Sequence, residues 1–154
     1  MGFKLSDNRQ RIYASLLFLG AGILLYRTIN LLSQGALEIF VLWVSVLLIA
    51  ELLIDAQCMI TSVVWWIAND SSRERLPLRF GATSAILHAI RVLIFLLGRV
   101  GPWYDFDVQP AKRALHGERW TWDQVWFATI MAVLGIIGVI IIWQFRKRTK
   151  RALR

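Results

Sequence analysis

Residues 37–68, LEIFVLWVSVLLIAELLIDAQCMITSVVWWIA, form an apolar run with two carboxylates at its centre, Glu51 and Asp55, one helical turn apart. At 1.5 Å per residue a helix over this run is about 48 Å long, more than the roughly 30 Å of a bilayer's hydrocarbon core. The excess implies tilt or projection beyond the bilayer. Projection of the end that carries Glu38 fits best, since it lets that carboxylate reach water.

Three further runs have the same character: 12–32, 80–103 and 122–145. Each reaches the roughly 20 residues that a membrane crossing requires. Of the 154 residues, 57% are hydrophobic, and the mean hydropathy is +0.54, outside the ordinary range of a soluble domain. A water-soluble four-helix bundle keeps a polar face on each helix, and the segment GIIGVIIIWQF has none. The expected fold is therefore an all-α integral membrane protein, a single domain over 1–154 with four transmembrane helices in an antiparallel bundle. The first run is too long for a signal-peptide core and no small-residue cleavage site follows it, so it reads as a retained span. MGFKLS matches the myristoylation pattern, but one acyl chain adds little to a chain with four spans. The lone cysteine, Cys58, excludes an intramolecular disulfide.

Net charge is +8, and its placement favours membrane topology over nucleic acid. Twelve basic residues lie before the first run, between the second and third, and after the fourth; five, Arg27, Arg99, Lys112, Arg113 and Arg119, fall on the other side. The bias predicts both termini in the cytoplasm. The basic tail 146–154, with Arg146, Lys147, Arg148, Lys150 and Arg151, is expected to meet anionic lipids at the cytoplasmic face; no nucleic acid is expected. Spans one and two form a hairpin around SQG, and Pro77 is expected to stop any helix in the connector NDSSRERLPLR. The external loop, 104–121, is aromatic and charged enough to form a docking surface, and TWDQ has the capping pattern of a helix start.

Charged side chains in lipid turn inward and pair, because a lone one costs at least ~2.5 kcal/mol. Trp43 and the pair Trp65, Trp66 serve as headgroup-level markers for the second span, which places Asp55 midway. Arg91 is midway along the third. By the same rise Glu51 and Arg27 share a depth, so the expected pairs are Asp55 with Arg91 and Glu51 with Arg27. Glu51, Asp55, Cys58 and Ser62 share one helix face, and Ser84, His88 and Arg91 share another. These faces are expected to meet, with the first helix closing at the Glu51 end. Small residues on single faces, Gly20 and Gly22 in the first span and Ala128, Ala132, Gly135 and Gly138 in the fourth, are expected to let helices approach closely.

His88 invites a haem reading, since an intramembrane imidazole is a familiar axial ligand. The only other histidine, His116, lies in the external loop, so a satisfied core histidine is the plainer reading. No nucleophile set, metal-ligand spacing or phosphate loop is evident, and neither a cofactor nor catalysis is expected. The sequence points first to a small non-catalytic membrane subunit that packs into or anchors a larger assembly, through other membrane-protein subunits or self-association. An oligomeric pore or proton-translocating protein, including a holin-like one, is the alternative. A haem- or quinone-binding redox anchor comes third.

Overall fold

The computed structural model describes residues 5–99 and 101–114, together with eight separate helical positions between 126 and 143. Four α-helices occupy the first part: α1 (Leu5–Ser33), α2 (Ala36–Ile39), α3 (Leu42–Ala68) and α4 (Arg75–Leu97). Three of them are long and apolar enough to cross a membrane, over Asn8–Ser33, Leu42–Ala68 and Ser72–Leu97. The long helices pack antiparallel, with α3 central and in contact with both α1 and α4. The all-α expectation is met, and the chain has three candidate membrane spans among the described residues. The fourth run, with Ala128, Ala132, Gly135 and Gly138, and the basic tail lie outside the described residues, apart from helical positions such as Trp126, Ile130 and Val133.

α1 turns small side chains inward, Ala14 and Ala21, and large ones outward, including Leu16, Leu19 and Ile23. Close backbone approach of this kind favours van der Waals contact where lipid offers no hydrophobic drive between helices. The glycines contribute unequally. Gly22 faces the Met59 side chain at ordinary contact distance, whereas a Cβ on Gly20 would meet nothing within 4 Å. A closer approach between helices comes at Gly81 of α4, where a Cβ would lie 2.9 Å from Leu17 Cδ2.

The run 37–68 is not one projecting helix. α1 ends in a turn at Gly35, whose φ of 80° suits a residue without Cβ. α2 follows for one turn, and Phe40 and Val41 are then extended before α3 starts at Leu42. This elbow is held by residues far along the chain: Val41 N–H donates to the Asp107 carbonyl at 2.9 Å, and Gln109 N–H donates to the Ile39 carbonyl at 2.9 Å. Gln109 Nε2 adds a third bond, to the Phe40 carbonyl at 3.1 Å. Such bonds replace the intrahelical ones that the break removes. Beneath them sits an apolar cluster of Ala36, Ile39, Phe40, Val44, Leu48, Phe95 and Val108. Phe40 and Phe95 stack within it at 5.3 Å.

Asn69, with φ 48°, closes α3 in the left-handed region, and its N–H bonds back to the Trp65 carbonyl. In the connector, the Ser72 hydroxyl and N–H both donate to the Asp70 carboxylate, holding its pKa below the ordinary value. Pro77 does not stop a helix here. α4 starts at Arg75, so Pro77 falls in the first turn, where its missing N–H has no intrahelical partner to lose.

Candidate functional site: a buried polar network between α3 and α4

Glu51 and Asp55 project from the buried face of α3, and Ser84, His88 and Arg91 from the buried face of α4. The two faces meet at the centre of the bundle, as their spacing predicts. Glu51 and Asp55 are 0% exposed, His88 1% and Arg91 3%. Charges removed this far from solvent persist only with hydrogen-bond partners.

The partners are specific. Arg91 Nε–H donates to both Glu51 oxygens, at 2.9 Å to Oε1 and 2.8 Å to Oε2. Arg91 Nη2 lies 2.8 Å from His88 Nδ1. A guanidinium has donors and no acceptor, so Nδ1 accepts there and the ring proton belongs on Nε2. Nε2–H then donates to Asp55 Oδ2 at 2.9 Å. The Ser84 hydroxyl donates to Asp55 Oδ1 at 2.5 Å. From α1, the Thr28 hydroxyl reaches Glu51 Oε2 at 3.4 Å. The guanidinium also lies over the Phe95 ring, 5.6 Å from its centroid. One hydrogen-bonded chain thus runs from Ser84 through Asp55, His88 and Arg91 to Glu51 and Thr28.

This pairing differs from the one that depth implies. Arg91 binds Glu51, and Asp55 is held by His88 and Ser84. The reason is reach: an arginine stem spans more than the 5.4 Å of one helical turn, so matched backbone depth does not select between carboxylates one turn apart. The short imidazole takes the nearer one. Arg27 is half-buried on α1 beside Thr28, and Thr28 is the α1 side chain that closes on Glu51. Thr28 carries no charge and had no sequence signal beyond its place next to Arg27.

The two adjacent tryptophans at the end of α3 face opposite ways, Trp65 inward. It is buried at 1% exposure between the helices, whereas its neighbour Trp66 is outward-facing with Arg11 stacked over it at 5.2 Å. At the opposite end, the segment after α4 is partly core. Asp107 and Val108 are fully buried, and Phe106 stacks on Trp43 at 5.7 Å. Trp103 and Tyr104 remain exposed.

Both imidazole nitrogens of His88 are engaged by protein groups, which leaves neither free for a haem iron. Among the described residues no group of three or more His, Cys, Asp or Glu side chains is arranged to hold a metal ion. The arrangement as it stands can hold helices together and can exchange protons along its length. These features define a helical chain with three candidate membrane spans built around a polar core. No family model, curated protein or solved structure matches it.

Proposed function

We propose that this chain is a small non-catalytic integral membrane subunit whose buried network fastens a helical bundle that packs into or anchors a larger membrane assembly. The observation that carries this reading is closure. Glu51, Asp55, His88 and Arg91 direct polar atoms at one another or at Ser84 and Thr28, so the network joins α1, α3 and α4. The outward faces are apolar, with Leu53 of α3 and Leu93 of α4 among the exposed residues, as lipid or a neighbouring membrane helix requires. In this reading the fourth run, 122–145, is a further span, supported by the helical state of positions between 126 and 143. Both termini are cytoplasmic by the basic bias, and Arg146, Lys147, Arg148, Lys150 and Arg151 contact anionic lipid there.

A second reading, an oligomeric pore or proton-translocating protein, draws on one specific observation: the polar chain is continuous from Ser84 to Thr28, with four ionisable side chains in sequence. Purification in mild detergent separates the two. A stoichiometric complex with a larger membrane protein is the expected result. A homo-oligomer that makes liposomes leaky overturns the subunit reading in favour of the pore.

A further inference from the structure

We propose that water enters the bundle from the Asn69 end of α3 and reaches Asp55, so that the Asp55–His88 pair communicates with the aqueous phase on one side only. This goes beyond the subunit reading and does not rest on it. The buried face of α3 is polar from its centre to its C-terminal end: Glu51, Asp55, Cys58, Ser62, Trp65 and Asn69 follow at steps of three and four residues.

The two halves of this stripe differ. Glu51 and Asp55 are bonded as described, and the Cys58 thiol donates to the Pro77 carbonyl at 3.7 Å. Beyond Cys58, Trp65 Nε1 and Asn69 Oδ1 are buried atoms without a hydrogen-bond partner among the described residues, Gln10 Oε1 of α1 is another, and Ser62 Oγ has only the weak sulfur of Cys58 beside it. Ser62 is 0% exposed, and the side chain it approaches is the Cys58 thiol, a weak hydrogen-bonding group that already donates to Pro77. Leaving one such group unsatisfied costs about 1–3 kcal/mol. Three of them and the weakly served Ser62, extending from the helix end toward the network, are too many to leave dry, and buried water ordinarily makes about three bonds to groups of this kind. The α1 residues in the cluster with Cys58 and Trp65 are Ala14, Leu17 and Ala21, and none of them offers the stripe a polar side chain.

The other direction is closed. Above Glu51 the same face of α3 carries Leu48 and Val44, both fully buried in the cluster with the stacked Phe40 and Phe95. Ser45 Oγ, near the elbow, also lacks a partner, but Leu48 separates it from Glu51. The path therefore ends at Leu48. It is an inlet and not a conduit: protons can exchange with Asp55 and His88 from the Asn69 side without leaking across.

Water itself is the probe. The full chain, labelled with ¹⁵N at tryptophan and histidine and with ¹⁵N-leucine, is placed in lipid bilayers, and magnetisation transfer from water is followed by solid-state NMR. Trp65→Phe identifies the Trp65 indole signal, and His116→Gln leaves His88 as the only imidazole. Transfer to the Trp65 indole and the His88 ring several-fold faster than to the Leu48 amide is expected. Transfer to both as slow as to Leu48 overturns the proposal. Sidedness is read with silver ion, a thiol reagent small enough for a water file, on Ser62→Cys in a Cys58→Ala background in sealed vesicles. Modification only from the Asn69 side is expected; modification from the opposite side, or equally from both, overturns the one-sided inlet. If that variant does not fold, the NMR comparison on the near-native chain still decides.

Discussion

Arg91 touches Glu51 through Nε, His88 through Nη2 and the Phe95 ring through its face, so replacing it disturbs three neighbours at once. Arg91→Leu strands Glu51 as a buried, unpaired carboxylate and is expected to cost about 3–5 kcal/mol. The double variant Glu51→Leu with Arg91→Leu removes both charges and leaves an apolar contact, so it is expected to be more stable than the single one. Thermal unfolding of both singles and the double in detergent checks this; additive losses would mean that the two side chains do not interact. Arg91→Lys is expected to rescue little, because one ammonium lacks the fork that serves Glu51 and His88 together. The faces that hold these groups were legible in the spacing of Glu51, Asp55, Cys58 and Ser62 and of Ser84, His88 and Arg91. The partner of each acid was not, since a flexible arginine stem covers a full turn and Thr28 carries no charge to mark it.

At the scale of elements, the turn before α2 and the end of α4 each depend on a missing side chain. At Gly35 the left-handed backbone makes Gly35→Ala costly by about 1–2 kcal/mol. Gly98 is ordinary in its backbone, but a Cβ there would lie 2.5 Å from Asp107 Oδ1 and 3.3 Å from the Ile94 carbonyl. Gly98→Ala is expected to cost about 1–3 kcal/mol as overpacking. Because Asp107 belongs to the segment that pins the elbow, the same change should speed amide exchange at Val41 and Gln109; unchanged protection there would disconnect Gly98 from the elbow. The long helices were legible from their apolar length alone. The elbow was not, because 37–68 contains neither glycine nor proline and its break is made by backbone bonds from residues 107 and 109. Pro77 was misread for a local reason: the same residue ends a helix from inside and is tolerated in its first turn.

For the whole molecule, the twelve-to-five basic asymmetry leads to the expectation that a reporter fused at Arg154 is active on the cytoplasmic side. Activity only on the external side would overturn that orientation. Neutralising Arg146, Lys147 and Arg148 is expected to weaken the hold on anionic lipid by about 1 kcal/mol per residue and to raise the fraction of inverted chains. The elbow, finally, bears on how the molecule is made. Its bonds join Ile39, Phe40 and Val41 to residues 107 and 109, so they cannot exist while the ribosome is still producing α3. During that interval the peptide groups of Ile39, Phe40 and Val41 lack those partners, and continued helix is one way to satisfy them. The nascent stretch from residue 37 to 68 is then expected to be one long rod, which arrival of the later segment breaks in two. A chain cut short before residue 101 is therefore expected to keep the rod, and helix-protected amides at Phe40 and Val41 in such a chain would check it.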